Sequence, residues 1–452
     1  MKIVIIGSGK VGRNLSSLLV GEGHDVTVVD QNPEAIKRIQ DSQDVMCVEG
    51  NGATTAVQLE AGVNKAEILV ATTPNDETNM LCCLIAKKLG AKKTISRVRD
   101  PEYYGQIDLI REDLGLSMII NPERMAADEI FRVLVFSSAS KVEVFAKGRI
   151  ELVEYTIPEN SVLCGLNLAQ IYNKTKIQLL ISAVQRGNET FIPSGLFTLQ
   201  AGDRVSVVST HKDLEKFFRI TGSYKEKIKT VMIVGGGKIA FYLAKQLTEL
   251  GMRVKVIDND IERCTEIVEN LDKVTVIHGD GADHDLLLEE GLADADAFVA
   301  LTGIDEVNII MALYAKNNSE AKAVAKINRE SYVKLTSKLG LDSVISPKYI
   351  TTNSIISYVR SLDNDTSNNI EALYHIVGDK VEAIEFKVSE KIPDLVGVPL
   401  KNLTLKENIL ICAIIRKRAV IIPSGNDTIE EGDSVVVVTK DYHFSDIKDI
   451  LE

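Results

Sequence analysis

The sequence predicts an α/β protein with two doubly wound parallel sheets, each followed by a small α+β lobe. Three observations carry this. A glycine-rich phrase, MKIVIIGSGKVGRNL at the N-terminus, returns as TVMIVGGGKIAFYL at 230–243. Short β-branched runs alternate with helix-length segments after each copy, the pattern of β-α-β units. A strand-rich segment carrying Ile-Pro-Ser-Gly and Gly-Asp turns then closes each half.

The elements follow in order. KIVII is a strand ending at the glycines, and NLSSLL opens a helix after them. VVDQNPEAIKRI (28–39) answers to VIDNDIERCTEI (256–267), and VMCVEGNGATTAVQLEAGV (45–63) to VTVIHGDGADHDLLLEEGL (274–292). EILVATTPNDETNM (67–80) is matched with AFVALTGIDEVNII (297–310), which pairs Thr72 with Thr302 and Thr73 with Gly303. TISRVRDPEYY (94–104) answers to AVAKINRESYV (323–333), pairing Arg97 with Lys326. Each copy thus holds six strands, ending near SMII (117–120) and SVIS (343–346), and Pro122 and Pro347 open a further helix. Six parallel strands with intervening helices make the Rossmann-type fold. Residues 150–208 read as strands IELVEYTI, IQLLISAV and DRVSVVS with IPSGLFTLQAGD between them. Residues 381–438 repeat this with VEAIEFKV, ILICAII, IPSGNDTIEEGD and DSVVVVT. The expected domains are 1–137 and 228–360 for the large lobes and 141–222 and 368–452 for the small ones, with polar TGSYKEKIK (221–229) as the joint.

Composition narrows the function. The chain has 452 residues, 45% hydrophobic and 26% charged, with a net charge of −12. An acidic chain lacks the concentrated Lys and Arg that nucleic acid demands, and it is not drawn to an anionic bilayer. No run of eighteen apolar residues offers a membrane span, and MKIVIIG has no signal-peptide pattern. The six cysteines form no C-x-x-C pair and read as reduced cysteines of a cytoplasmic protein.

The glycine phrase has a chemical reading. Gly7 permits a tight turn, Gly9 lets backbone approach a pyrophosphate, and Gly12 lets helix pack on sheet. The helix N-terminus, with the backbone N–H groups of Ser8, Lys10 and Val11, favours phosphate. Asp30, about twenty residues beyond Gly9, is placed to accept from ribose hydroxyls and to repel a 2′-phosphate. That favours NAD over NADP without separating NAD from ATP or ADP. In the second copy Gly235, Gly236, Gly237, Lys238 and Ile239 repeat the loop, Ala240 replaces the third glycine, and Asp258 repeats the acid. Neither lysine belongs to a P-loop, because Val11 or Ile239 follows where Ser or Thr is needed; their side chains are expected in solvent near the cleft. Thr72, Thr73 and Thr302 at strand ends can touch ligand or cap the next helix. Arg97 and Lys326 can contact phosphate or form surface ion pairs. Asn51 and Asp280, flanked by glycines, read as loop residues near a nucleotide. HGDGADHD (278–285) fits no zinc spacing, so no metal is expected. The six histidines are scattered and no acid–base cluster stands in the small lobes, which argues against catalysis; an NAD-dependent oxidoreductase is the alternative reading.

With these residues in view, the chain resembles the TrkA-type regulatory subunits of potassium uptake systems, built from tandem RCK modules. The resemblance covers nearly the whole chain and rests on MKIVIIGSGKVGRNL, Asp30, EGNGATT, ATTPNDETNM, SRVRDPEYY and the two small lobes. It implies a non-enzymatic nucleotide-binding protein that forms a homo-oligomeric ring at the inner face of the membrane. The ring would gate a TrkH- or TrkG-type channel subunit, without nucleic acid or direct lipid binding. It also implies NAD in a first site (Gly7–Val11, Asp30, Thr72, Thr73, Arg97). NAD or ATP/ADP would occupy a second (Gly235–Ile239, Asp258, Thr302, Lys326).

Overall fold

A computed structural model describes every residue except 137, 147, 223, 225–226, 337–338, 342, 364–369, 377–380, 390–391, 418 and 445, and the side chains of 330, 333–334, 361 and 363. The expected domain limits at 137 and 368, and part of the 221–229 joint, lie outside the described residues.

The first large lobe runs β1 (Lys2–Ile6), α1 (Lys10–Gly21), β2 (Asp25–Asp30), α2 (Pro33–Gln40), β3 (Met46–Glu49), α3 (Thr55–Glu60), β4 (Ile68–Ala71), α4 (Asp76–Leu89), β5 (Lys93–Arg97), α5 (Pro101–Ile110), β6 (Met118–Ile120) and α6 (Pro122–Val135). The first small lobe has β7 (Lys141–Phe145), β8 (Ile150–Thr156), α7 (Leu168–Thr175), β9 (Leu180–Arg186), β10 (Glu189–Phe191), β11 (Arg204–Ser209) and α8 (His211–Ile220). The second large lobe repeats the first as β12 (Thr230–Val234), α9 (Lys238–Glu249), β13 (Arg253–Asp258), α10 (Ile261–Asn270), β14 (Val274–His278), α11 (His284–Glu289), β15 (Ala297–Ala300), α12 (Asp305–Asn318), β16 (Lys322–Lys326), α13 (Glu330–Thr336), β17 (Ser343–Ile345) and α14 (Pro347–Asp363). The last lobe has β18 (Ile370–Ile376), β19 (Val381–Lys387), β20 (Ile409–Arg416), β21 (Ala419–Ile421) and β22 (Ser434–Lys440).

Both large lobes are parallel six-stranded sheets, in the orders β3-β2-β1-β4-β5-β6 and β14-β13-β12-β15-β16-β17. The order reverses direction between β1 and β4, and between β12 and β15. Chains crossing away on either side open a crevice at the strand C-termini there. Central strands such as Ile68–Ala71 are buried throughout, as sheets covered on both faces require. The glycine phrase therefore sits at the switch point of each sheet.

Each small lobe is a five-stranded sheet, β10-β9-β11-β8-β7 and β21-β20-β22-β19-β18. Sequence patterning found the three inner strands of each. The four it passed over are the sheet edges, where β7 and β10 (KVEVF, ETF) carry charged residues rather than an apolar run.

The chain folds into two compact units. One holds both large lobes (Met1–Phe131 with Lys229–Ile356), the other both small lobes (Arg132–Ile228 with Ser357–Glu452). In the first unit α9 meets the start of α6: Asn121 donates to Tyr242 Oη at 2.9 Å, Tyr242 donates to the Arg99 carbonyl at 3.3 Å, and Gln246 donates to Asp128. The symmetry-related contact is thinner, Asn14 Nδ2 to Thr352 Oγ1 at 3.3 Å. In the second unit the two small sheets share one apolar layer, with Phe145, Ile150, Leu152 and Val208 against Ile376, Val381, Cys412 and Val436.

Among the described residues, no helix is long and apolar enough to cross a membrane.

Candidate nucleotide sites

The first site is built on the β1–α1 turn. Gly7 takes φ 101°, and its N–H bonds the Val29 carbonyl at 2.8 Å. A Cβ there would lie 2.9 Å from the backbone of Thr72 and Thr73, so both conformation and space demand glycine. At Gly12 a Cβ would stand 1.9 Å from the Gly7 carbonyl oxygen; the helix rests directly on the turn. Gly9 differs, because a Cβ there would meet nothing within 4 Å. The space above Gly9 is open, and Gly9 caps α1 with no side-chain hydrogen bond to the first turn. The N–H groups at that helix end are not claimed by a capping side chain, as phosphate binding requires.

Asp30 closes the other wall. Its Oδ2 accepts from the Ser8 N–H at 2.7 Å and the Ser8 hydroxyl at 2.6 Å, and Oδ1 accepts from Asn32 N–H at 2.9 Å. Burial pushes its pKa up, but the bonds from Ser8, Asn32 and Gln31 together outweigh burial and hold the carboxyl below its usual value. It is ionised at neutral pH, and a carboxylate oxygen that accepts one bond has room for another. Ser8 itself is buried and serves to aim the acid. Asn51 Oδ1 accepts from the Ala53 N–H at 3.0 Å, folding the loop after β3, and Gly50 N–H bonds the Asp30 carbonyl at 2.9 Å. The loop is thereby held beside the acid.

The third wall contains a residue that sequence reading missed. Asn79, fully buried on α4, accepts from the N–H and hydroxyl of Thr73 at 2.8 and 2.7 Å and donates to the carbonyls of Thr73 and Arg97 at 3.1 and 3.0 Å. One amide thus pins the ends of β4 and β5. Thr72 is buried, its hydroxyl turned to the Ile6 and Gly7 carbonyls. Arg97 folds back to donate to the Thr73 carbonyl at 2.5 Å. Burial, then the Arg99 charge, pull the Arg97 pKa down, and its Nε lacks a partner.

The second site repeats this frame and corrects the sequence matching by one residue. Sheet register pairs Ile3 with Ile68 and Val231 with Ala297, so Thr73 corresponds to Thr302 and Thr72 to Leu301. The bonds agree: Thr302 N–H and hydroxyl donate to Asn308 Oδ1 at 2.9 and 2.7 Å, and Asn308 donates to the Thr302 and Lys326 carbonyls. Similar Thr residues attracted the wrong match; the hydrogen-bonded sheet leaves no such freedom. With Thr302 aligned to Thr73, both sites keep the pinned threonine. Arg97 and Lys326 do correspond, Lys326 donating to the Leu301 carbonyl at 2.9 Å, with burial lowering its pKa.

Here the family is decided. The TrkA-N domain family matches residues 3–122 and 231–347, and the TrkA-C domain family matches 152–222 and 383–452. The chain belongs to the TrkA family. It is 34% identical over 451 residues to a Trk system potassium uptake protein TrkA homolog of Archaeoglobus fulgidus, covering 100% of both chains. It is 32% identical over 445 residues to Trk system potassium uptake protein TrkA of Haemophilus influenzae, covering 98% of this chain and 96% of the relative. Among solved structures, the GsuK RCK domain superposes with a TM-score of 0.63 at 18% identity, covering 97% of this chain and 92% of that one. A structure described as the GsuK channel bound to NAD gives 0.64 at 17%, covering 97% and 77%. At such identities these two establish the fold.

The two sites of this TrkA-family chain are not equivalent. Gly236 replaces Ser8, so Asp258 Oδ2 accepts only a backbone N–H there, at 2.5 Å, while Oδ1 accepts from Asp260 N–H at 2.8 Å. Arg263 approaches Asp258 at 3.7 Å, where the first copy has Ala35. Gly237, like Gly9, has nothing within 4 Å of a Cβ, and at Gly235, with φ 102°, a Cβ would lie 2.8 Å from the backbone of Leu301 and Thr302. Val11 and Ile239 are buried, so they contribute backbone only. Asp280 folds its loop through Ala282 N–H at 2.9 Å. Lys10 is exposed, as expected. Lys238 is not a free solvated lysine: its ammonium pairs with Asp100 of the first lobe at 2.8 Å, because packing of α9 on the first lobe brings the loop against α5. The histidine-rich segment has ordinary structural uses. Asp283 caps α11 and His284 stacks on Tyr314 at 3.7 Å. Among the described residues, no three His, Cys, Asp or Glu side chains are grouped to hold a metal ion.

Proposed function

We propose that this chain is the nucleotide-binding regulatory subunit of a Trk potassium uptake system. On this reading it is a cytoplasmic protein peripheral at the membrane that assembles as a ring and gates a TrkH- or TrkG-type channel subunit. The observation that carries the proposal is full-length similarity to proteins named for Trk potassium uptake. The four working modules are taken as 1–137, 141–222, 228–360 and 368–452. Solved proteins of this fold are described as a channel bound to NAD and as bound to ADP, in keeping with NAD in the first site and NAD or ATP/ADP in the second.

The residues fit such ligands. A bound dinucleotide supplies a pyrophosphate and ribose hydroxyls. Gly7, Ser8, Gly9, Lys10 and Val11 present backbone and an open space to phosphate, and Asp30 offers its carboxylate to ribose. Thr73, held by Asn79, and Arg97 wall the crevice, with Thr72 bracing the turn. In the second site Gly235, Gly236, Gly237, Lys238, Ile239, Asp258, Thr302 and Lys326 take those places; Asn51 sets the adjoining loop of the first site and Asp280 that of the second. Gating then follows as a population shift: nucleotide moves the channel only to the degree that it binds one arrangement of the lobes more tightly than another.

The test is reconstitution. Liposomes carrying the partner channel should recruit the protein while anionic liposomes without it do not, and NAD or ATP/ADP should change potassium flux. Flux indifferent to nucleotide would end the gating reading.

A further inference from the structure

We infer that Asp100 of the first lobe competes with nucleotide phosphate for Lys238 of the second site, so that the second site, unlike the first, is coupled to the other lobe by one exchangeable ion pair. The inference rests on the two-site reading above and goes beyond it in naming the ion pair through which phosphate at the second site is coupled to the first lobe.

The geometry is asymmetric at one pair of positions. Lys238 opens α9, directly after Gly237, where the open space for phosphate lies. Its ammonium meets Asp100 Oδ2 at 2.8 Å, and both side chains are more than a third exposed, so the pair can open without a large desolvation cost. Among the described residues, no acid pairs with Lys10 at the symmetry-related place. The residue matching Asp100 is Arg329, which turns to Glu306 at 2.8 Å and Tyr332 at 3.0 Å. Among the described residues, no side chain bonds the Lys10 ammonium.

Asp100 is also wired to the first site. Its N–H and that of Arg99 both donate to Asp76 Oδ2 at 2.8 Å, and Asp76 opens α4, the helix whose Asn79 pins Thr73. Asp100 caps α5 through Glu102 N–H at 3.0 Å, and Tyr242 of α9 donates to the Arg99 carbonyl beside it. A phosphate arriving at Gly237 offers the ammonium a second anion. When Lys238 turns to it, the bridge to the β5–α5 segment is lost, and by linkage an intact bridge lowers phosphate affinity by the same factor.

The test uses the full chain carrying Gly9→Val, so that titration with ADP, and separately with NAD, reports the second site. Asp100→Asn keeps an N-cap residue and removes the charge. Second-site affinity is expected to rise roughly two- to five-fold, the range of an exposed ion pair, and the gain should shrink at high salt. In a Lys238→Met background, Asp100→Asn should then change nothing. Affinity unchanged or lowered by Asp100→Asn overturns the inference. So does an equal gain without Lys238, which would mark plain repulsion. Absence of any second-site binding with either nucleotide would instead bring down the two-site reading, and the inference with it.

Discussion

Asp30 uses its two oxygens differently, and the difference sets what its loss would do. Oδ2 is committed to Ser8, while Oδ1 accepts one backbone N–H. Asp30→Ala should weaken NAD binding about 5- to 150-fold, or about 1–3 kcal/mol, measured by calorimetry; parent-like affinity would remove Asp30 from the site. The glycines separate binding from folding more sharply. Gly9→Val places its Cβ where nothing stands within 4 Å, and φ is an ordinary −63°. The chain should stay folded, losing about 1 kcal/mol at most from the α1 cap, while first-site binding fails. Gly12→Ala places a Cβ 1.9 Å from the Gly7 oxygen, and overpacking against backbone should cost about 1–3 kcal/mol or more in denaturant unfolding. The turn at Gly7 and the close packing at Gly12 were readable from spacing alone. The role of Ser8 was not, because its partner lies in the next strand.

At the scale of elements, Asn79 and Asn308 show where reading by similarity fails. Each is a buried amide using both its oxygen and its nitrogen to join two parallel strand ends. Parallel strands meet their neighbours through long crossovers, so no local pattern announces such a bond. The two asparagines match only once the register is shifted by one residue, and the sheet itself supplies that shift. Removing either should be costly. Asn79→Ala leaves the Thr73 N–H and the Arg97 carbonyl without this partner, and a loss of about 2–4 kcal/mol in unfolding free energy is expected. A variant as stable as the parent would show that the amide is dispensable. The strands missed in the small lobes teach the complementary point. β9 and β11 pack in the middle of the sheet and announce themselves as apolar runs. β7 and β10 bury less and carry Lys and Glu, so periodicity alone was a weak guide to the edges.

At the scale of the whole molecule, duplication was legible because each half repeats both sheet orders, but the pairing of like lobes within each unit was not, since it depends on which surfaces find each other. In the unit of small lobes that pairing buries an acid. Glu385 is 3% exposed. Its Oε2 accepts from the Ala146 N–H of the other lobe at 2.9 Å. Glu371 on β18 lies beside it, bonded to the Ser434 hydroxyl at 2.9 Å, and Lys387 shares its strand. Burial pushes the Glu385 carboxyl up to about 7; the bond from Ala146 opposes this, while a shared hydrogen bond and repulsion with Glu371 add to it. The direction of the pH effect follows. The folded acid holds its proton above the ordinary value of 4.5, so between about pH 4.5 and pH 7 the folded chain binds more protons than the unfolded one. Stability from this group is therefore full at the acid end and falls as pH rises through 7, by up to about 3 kcal/mol. Glu385→Gln keeps an oxygen for Ala146 and a neutral side chain at every pH. It should raise unfolding free energy at pH 8 and leave it nearly unchanged at pH 4.5. A Gln variant whose stability differs from the parent by the same amount at both values would show that Glu385 stays ionised in the fold. The polar contact between the small lobes would then be a carboxylate at all working pH.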